Sequence, residues 1–354
     1  MAVYDLETVS VFLVEDNDFM RFTMEDLLRQ LGFRNIVAAK NGEAAIEYFK
    51  TMRVGHQAVG GTNVDIVITD LVMTPINGLL LLRWLRSAKE SPNRFMPVLM
   101  ISGAADRKYV ESCRDMGVTE FLAKPYSVGS VYKKILEVID YPRPFVMTNT
   151  YFGPDRRRQR YGSAPGGDER RATEESDITM VYGAKDMRQP KKEDSGVWMF
   201  KLPNSLKDKA GGMGDSGPGE FPADLLDKAE EKLERAKLDF STWALDYLTQ
   251  LSDLCAEALG QKGGRTAHFE KINLLALELR GQGGTFGYPL VTIVAKGLFN
   301  TTGAGCNEDD KAVEIVKAHI DTMRAVIREK ISGDGGDVGR QLLKGLKAAI
   351  DKNS

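Results

Sequence analysis

The 354 residues carry 48 basic and 50 acidic side chains, a formal net charge of −2, so the surface as a whole is not built to hold nucleic acid or an anionic membrane. Hydrophobic residues at 42% and charged residues at 28% are the balance of an ordinary soluble protein, with length for two or three domains. Three cysteines, Cys113, Cys255 and Cys306, far apart and odd in number, suit a reducing compartment such as the cytoplasm and argue against a disulfide framework or a thiolate metal site.

The opening MAVYDLETVSVFLVEDND has acidic residues on both sides of a short apolar run, unlike a secretory signal. No apolar run approaches the roughly 20 residues that cross a bilayer, so membrane insertion is not expected. From Val9 to about Tyr141, short β-branched runs (VSVFLV, NIVAA, DIVITD, PVLMIS, TEFLA) alternate with amphipathic segments. The latter predict helices at Phe19 to Leu31, Gly42 to Met52, Leu79 to Lys89, Arg107 to Met116 and Ser127 to Ile139. Five strand–helix pairs predict a doubly wound α/β domain with a five-stranded parallel sheet over residues 1–141. Val54 to Asn63 reads as an enlarged loop before the third strand.

Residues 142–222 are rich in Gly, Pro, Ser and mixed charge and predict a flexible, disordered linker. Two less polar islands in it, YFGPDRRRQRY and GVWMFKLP, are candidate docking segments. Beyond Ala223, apolar residues from Leu226 to Ala258 recur at steps of three and four, predicting one long amphipathic helix. Further helices are expected at Ala267 to Arg280, Leu290 to Asn300, Asp309 to Ile331 and Val338 to Ile350. Residues 223–354 therefore predict an all-α helical bundle.

In an open parallel sheet, ligands bind outside the carboxyl ends of the strands. There the sequence places Glu15 and Asp16, Asp70, Ser102 and Lys124, one set at each of four strand ends. Three neighbouring carboxylates repel unless a cation joins them, and a hard, oxygen-preferring ion such as Mg²⁺ suits them. A lysine and a hydroxyl beside them can hold phosphoryl oxygens. Taken singly, these residues are helix caps, turn formers and solvated charges. Together, in this order, they argue for one site.

This arrangement resembles the receiver domain of bacterial two-component response regulators over residues 9 to 140. The resemblance rests on the acidic pair Glu15 and Asp16, on Asp70, on Ser102, and on Lys124 with Pro125. It implies that Asp70 is a nucleophile that becomes an acyl phosphate, self-phosphorylating with Mg²⁺, without the chain being an enzyme in any other sense. It further implies that Glu15, Asp16, Asp70 and the Val72 backbone carbonyl hold the metal, that Lys124 and Ser102 serve the phosphoryl group, and that Ser102 and Phe121 form the switch. A histidine kinase or phosphotransfer protein is the implied donor. The Lys124–Pro125 bond is expected to be cis. One departure is Pro75, which the family commonly places one residue earlier, where this chain has Thr74.

The stretch LALELRGQGGTFGYP, Leu275 to Pro289, resembles the motif of histidine-phosphotransfer domains, with Leu279, Arg280, Gly281, Gly283, Gly284 and Gly287 on the positions after the histidine and Arg in place of Lys. The histidine position is Leu277, which has no nitrogen to accept a phosphoryl group, so the bundle resembles a degenerate member. Two explanations of the glycines stay open: a docking surface formed by Leu277, Arg280, Gly281 and Gly284 with Leu277 facing outward, or tight helix–helix packing with Leu277 in the core. His268 and His319 are candidates for an unconventional relay, each also readable as a surface or boundary histidine. Arg156, Arg157, Arg158 and Arg160, among aromatic residues, could grip an acidic partner or phosphates, yet one balanced patch and no helix-turn-helix argue against nucleic acid as a partner. A transcription regulator remains an alternative. The leading expectation is an output by protein–protein contact through the bundle, to an unidentified protein, with room for a homodimer.

Overall fold

The computed structural model describes residues 2–55, 64–103, 107–157, 178–182, 196–212, 217–261 and 264–353. The chain forms two compact units. The first is Met1–Ile101, Asp106–Leu122 and Gly129–Lys228; the second is Ser102–Ala105, Ala123–Val128 and Ala229–Ser354.

The first five strands are β1 (Ser10–Val14), β2 (Asn35–Ala39), β3 (Ile66–Asp70), β4 (Val98–Ser102) and β5 (Glu120–Ala123), in the order β2-β1-β3-β4-β5. The pairing between β1, β2, β3 and β4 is parallel. Alternating with the strands are α1 (Asp18–Gln30), α2 (Gly42–Gly55), α3 (Gly78–Ser87), α4 (Arg107–Asp115) and α5 (Val128–Asp140), within a few residues of the ranges expected from periodicity. Every residue of β3 and β4 is buried, which is why both read as unbroken apolar runs and not as alternation. Asn17 and Asn77 cap α1 and α3, accepting the Met20 and Leu80 backbone N–H groups. Most of the loop expected between Val54 and Asn63 lies outside the described residues.

The stretch expected to be a flexible linker differs in its described parts. It contains β6 (Phe145–Met147), β7 (Phe152–Pro154), β8 (Ile178–Tyr182) and β9 (Val197–Lys201), a second sheet in the order β7-β6-β9-β8, and α6 (Ser205–Lys209). The two islands taken for docking segments supply β7 and β9. Their physical reason is an aromatic cluster: Phe95 stands within 5.1 to 5.5 Å, ring to ring, of Phe145, Phe152 and Phe200. Phe200 is 1% exposed. Beneath it lies Arg86, which is fully buried and donates to the carbonyls of Gly117, Arg94 and Met96 at 2.8 to 2.9 Å, with its guanidinium over the Phe145 ring. The low-complexity run around GGDERRATEESD lies outside the described residues.

After β9 the chain is tied to the base of the first unit by polar contacts. The Asn204 amide donates to the Ile139 carbonyl at 2.6 Å, and Lys209 pairs with Asp65 at 2.7 Å. Asp140 is almost fully enclosed, accepting from the Tyr4 hydroxyl and facing the Lys207 ammonium at 3.6 Å. A composition rich in charge suggested a solvated tether; here the charges are paired across 65 or more positions of sequence, which composition does not register.

The helices that follow are α7 (Ala223–Gly260), α8 (Thr266–Gln282), α9 (Pro289–Thr301), α10 (Asp310–Arg328) and α11 (Gly336–Asn353), matching the expected run of helices. Phe240 of α7 stacks on Phe286 at 4.7 Å and lies near Tyr288 at 5.8 Å, so the turn after α8 is held against α7 by aromatic packing. The α10 face of Val313, Val316, Ile320 and Met323 is buried. Among the described residues no helix is long and apolar enough to cross a membrane.

Candidate functional site

The parallel register brings the ends of β1 and β3 to the same edge. Val14 pairs with Ala39 and with Thr69, and Asp70 with Ile101. Glu15 continues the ladder by donating its N–H to the Ala39 carbonyl, and Leu71 by donating to Ile101. The chain then turns from β3 toward α3, with Gly78 N–H donating to the Leu71 carbonyl at 2.9 Å. A Cβ on Gly78 would stand 2.1 Å from the Asp70 carbonyl oxygen, so only glycine lets α3 start this close to the aspartate's backbone.

Asp70 is 4% exposed, and its Oδ1 accepts the Val72 N–H at 3.2 Å. Asp16 is exposed at the next strand end and accepts the Thr74 N–H through Oδ2 at 3.3 Å. Asp70 and Asp16 thus both anchor the loop of residues 71–74, one at each end, and Val72 with its carbonyl lies between the two anchors. Glu15 is buried, and its Oε1 accepts the Asn17 N–H at 3.3 Å while its carbonyl accepts from Arg21. The donor set is all oxygen, the chemistry of a hard divalent cation. Among the described residues no three His, Cys, Asp or Glu side chains are gathered as a chelating group. The fit is therefore one of donor chemistry, with Asp16 and Glu15 after β1 and Asp70 at the end of β3, the two aspartates both bonded to the β3–α3 loop.

Of the remaining predicted residues, Ser102 and Lys124 belong to the second unit and Phe121 to the first. Ser102 is fully buried, and its carbonyl accepts the Lys124 N–H at 2.8 Å, bringing the end of β4 to the residue after β5. Lys124 itself is 6% exposed. The Lys124–Pro125 bond is cis as expected, and Thr74–Pro75 is cis as well, which the family pattern did not suggest. Phe121 is half-buried on β5.

The bundle separates its candidates. Leu277 is buried, 8% exposed, and does not face outward. Arg280 lies over the Phe299 ring at 5.5 Å. His319 is not at the surface: it is 1% exposed, its Nδ1 bonds the Ile315 carbonyl at 2.8 Å, and burial lowers its pKa below the usual range. His268 is mostly buried beside Glu257, 3.4 Å from Nε2 to carboxylate. Gln282, missed in the sequence, is fully buried between two glycines with neither amide atom hydrogen-bonded; an interior glutamine has no sequence pattern to mark it. Of the basic patch, Arg156 pairs with Asp115 at 3.0 Å and covers Tyr151, and Arg157 turns to Asp155. Arg158 and Arg160 lie outside the described residues.

Residues 11–136 match the family of the response regulator receiver domain. The chemotaxis protein CheY-3 of Vibrio cholerae is 28% identical over 134 residues, which is 38% of this chain and 94% of that protein. Chemotaxis protein CheY of Pseudomonas aeruginosa is 27% identical over 132 residues, 37% of this chain and 97% of that one. Among solved structures, the CheX–CheY–BeF3–Mg complex of Borrelia burgdorferi matches at 25% identity over 37% of this chain and 88% of the other, with a TM-score of 0.32. The receiver domain of the sensor histidine kinase PA1611 of Pseudomonas aeruginosa, with a magnesium ion coordinated in its active-site cleft, matches at 24% identity over 36% and 94%, with a TM-score of 0.30.

Proposed function

We infer that residues 11–136 work as a receiver domain, the family they match. We propose that the chain acts as a two-component response regulator in which Asp70 accepts a phosphoryl group from a histidine kinase or phosphotransfer protein, with output by protein contact through the helical bundle. The observation that carries this reading is the placement of Asp70 at the end of β3, nearly enclosed and accepting the Val72 N–H, with Asp16, after β1, accepting the Thr74 N–H of the same loop.

In the proposed reaction an Asp70 carboxylate oxygen attacks the phosphorus of a phosphohistidine. The P–N bond breaks as the P–O bond forms, and the leaving imidazole takes a proton from water. A divalent cation held by Glu15, Asp16, Asp70 and the Val72 carbonyl would neutralise charge on the transferred oxygens. Lys124 would pair with a phosphoryl oxygen, and the Ser102 hydroxyl would turn toward the phosphate, with Phe121 following. His319 is enclosed in the bundle core, and Arg156 and Arg157 each pair with a neighbouring carboxylate, which supports protein contact as the output.

Incubating the full chain with phosphoramidate and Mg²⁺ is expected to give a modification that survives acid and is lost in base. Asp70→Asn is expected to abolish it. Label that persists in that variant overturns the assignment of the acceptor.

A further inference from the structure

The second unit contains two short segments of receiver sequence as part of its own packing: Ser102 with Gly103, at the end of β4, and Ala123–Val128, which begins at the last residue of β5. What holds them is the glycine run of α8. A Cβ on Gly103 would stand 2.9 Å from the Gly281 Cα and 3.5 Å from the Leu277 carbonyl oxygen. A Cβ on Gly281 would meet the Gly103 Cα at 3.3 Å and the Lys124 Cδ at 3.4 Å, and one on Gly284 would meet the Pro125 Cγ at 2.8 Å. Backbone lies on backbone at Gly103 and Gly281, a separation that a side chain at Gly103 would prevent and one at Gly281 would strain. A specific polar contact accompanies this fit: the Tyr126 N–H donates to the Thr285 hydroxyl at 3.1 Å. Both Tyr126 and Thr285 are buried.

The other two glycines of the run serve the bundle alone. A Cβ on Gly283 would lie 2.9 Å from the Tyr288 carbonyl oxygen and 2.9 Å from the Thr292 nitrogen, and Gly287 has a φ of +86° in the left-handed region. The run thus has two sides. Gly283 and Gly287 allow the turn into α9; Gly281 and Gly284, with Leu277 and Thr285, form a seat filled by the loops that carry Ser102 and Lys124.

The geometry points to a built-in competitor: the small-residue side of α8 occupies, within the chain, the loops that a partner's histidine-bearing helix must reach. The bundle therefore restrains phosphoryl exchange at the receiver, and displacement of α8 opens the loops to the partner. This rests on the reading of Asp70 as the acceptor. Leu277 in the histidine position makes the seat non-transferring, so α8 holds the loops without drawing off the phosphoryl group.

The test uses the full chain with Gly281→Leu, which drives a side chain into Gly103, and Thr285→Val, which removes only the hydroxyl that accepts from Tyr126. Hydrogen exchange is followed in a peptide spanning residues 123–128, with a peptide from α10 as the control for the bundle, and labelling by phosphoramidate and Mg²⁺ is timed in parallel. Exchange at 123–128 is expected to rise about fivefold or more, the low end of coupling between sites, and labelling to accelerate with it, while α10 is unchanged. Unchanged exchange at 123–128 in both variants overturns the seat. Faster exchange with an unchanged labelling rate overturns the restraint. Absence of label in every protein, wild type included, defeats the Asp70 reading instead, and the exchange result still decides whether α8 holds the loops. Should Gly281→Leu disturb α10, Thr285→Val alone carries the comparison.

Discussion

Gly78 in the first unit and Gly281 in the second do different work. In the first, Gly78 makes room for backbone of its own loop, since a Cβ there would meet the Asp70 carbonyl oxygen at 2.1 Å. In the second, Gly283 likewise serves its own turn, against Tyr288 and Thr292, whereas Gly297 makes room for the His319 ring, and Gly281 and Gly284 for the distant Gly103 and Pro125 segments. A glycine that serves its own turn can be recognised from its immediate neighbours. One that serves a distant contact has no local mark, which is why the glycine run at the end of α8 supported two explanations from sequence.

The sharpest way to break that comparison is Gly78→Ala. The methyl cannot be relieved by rotating a side chain because what it meets is main chain, so the β3–α3 loop must shift. We expect a loss of about 3 kcal/mol or more in the urea stability of the first unit, read at Trp84. A loss under about 1 kcal/mol would mean the loop is far more compliant than its packing indicates. Gly283→Ala tests the same idea in the second unit. Its methyl would press on the Tyr288 carbonyl and the Thr292 N–H, where Gly284 N–H also donates to Thr292 Oγ1 at 2.8 Å. The expected loss is about 2 kcal/mol, read at Trp243, with the helix-propensity gain of alanine offsetting only part of the overpacking.

The legibility of the molecule follows the same division. Strands β1 to β5 and the helices between them were readable because β-branched runs and amphipathic periods are local signals. Asp70, Ser102 and Lys124 were readable because each stands at a strand end, so position along the chain is also position in the sheet. The sheet of β6 to β9 was not. Its strands are short, their aromatic partners Phe95, Phe145, Phe152 and Phe200 are scattered over more than a hundred residues, and the intervening sequence has a linker's composition. The pairing of Lys207 with Asp140 was hidden for the same reason. The burial of Leu277 was not legible, because the residues packed at this end of α8 include Gly103, distant in sequence.

The smallest expected effect concerns Gly297 and His319, where a Cβ on the glycine would lie 2.8 Å from His319 Nε2. The imidazole is enclosed, with Nδ1–H donating to the Ile315 carbonyl, and burial disfavours its charged form, so its pKa is lowered from 6.5. The unfolded chain therefore takes up the proton first. The stability associated with neutral His319 is fully present above pH 6.5 and falls as the pH drops from there toward the folded-state pKa, at a slope of up to about 1.4 kcal/mol per pH unit for one proton. Below the folded-state pKa the slope from this group vanishes. Urea midpoints of the second unit at pH 7 and pH 5, read at Trp243, should show this loss in the wild type and a smaller one in His319→Asn, which keeps an N–H donor near the Nδ1 position but has no proton to gain. Equal losses in the two proteins would place the acid sensitivity on other groups and leave Gly297 as a packing glycine with no electrostatic consequence.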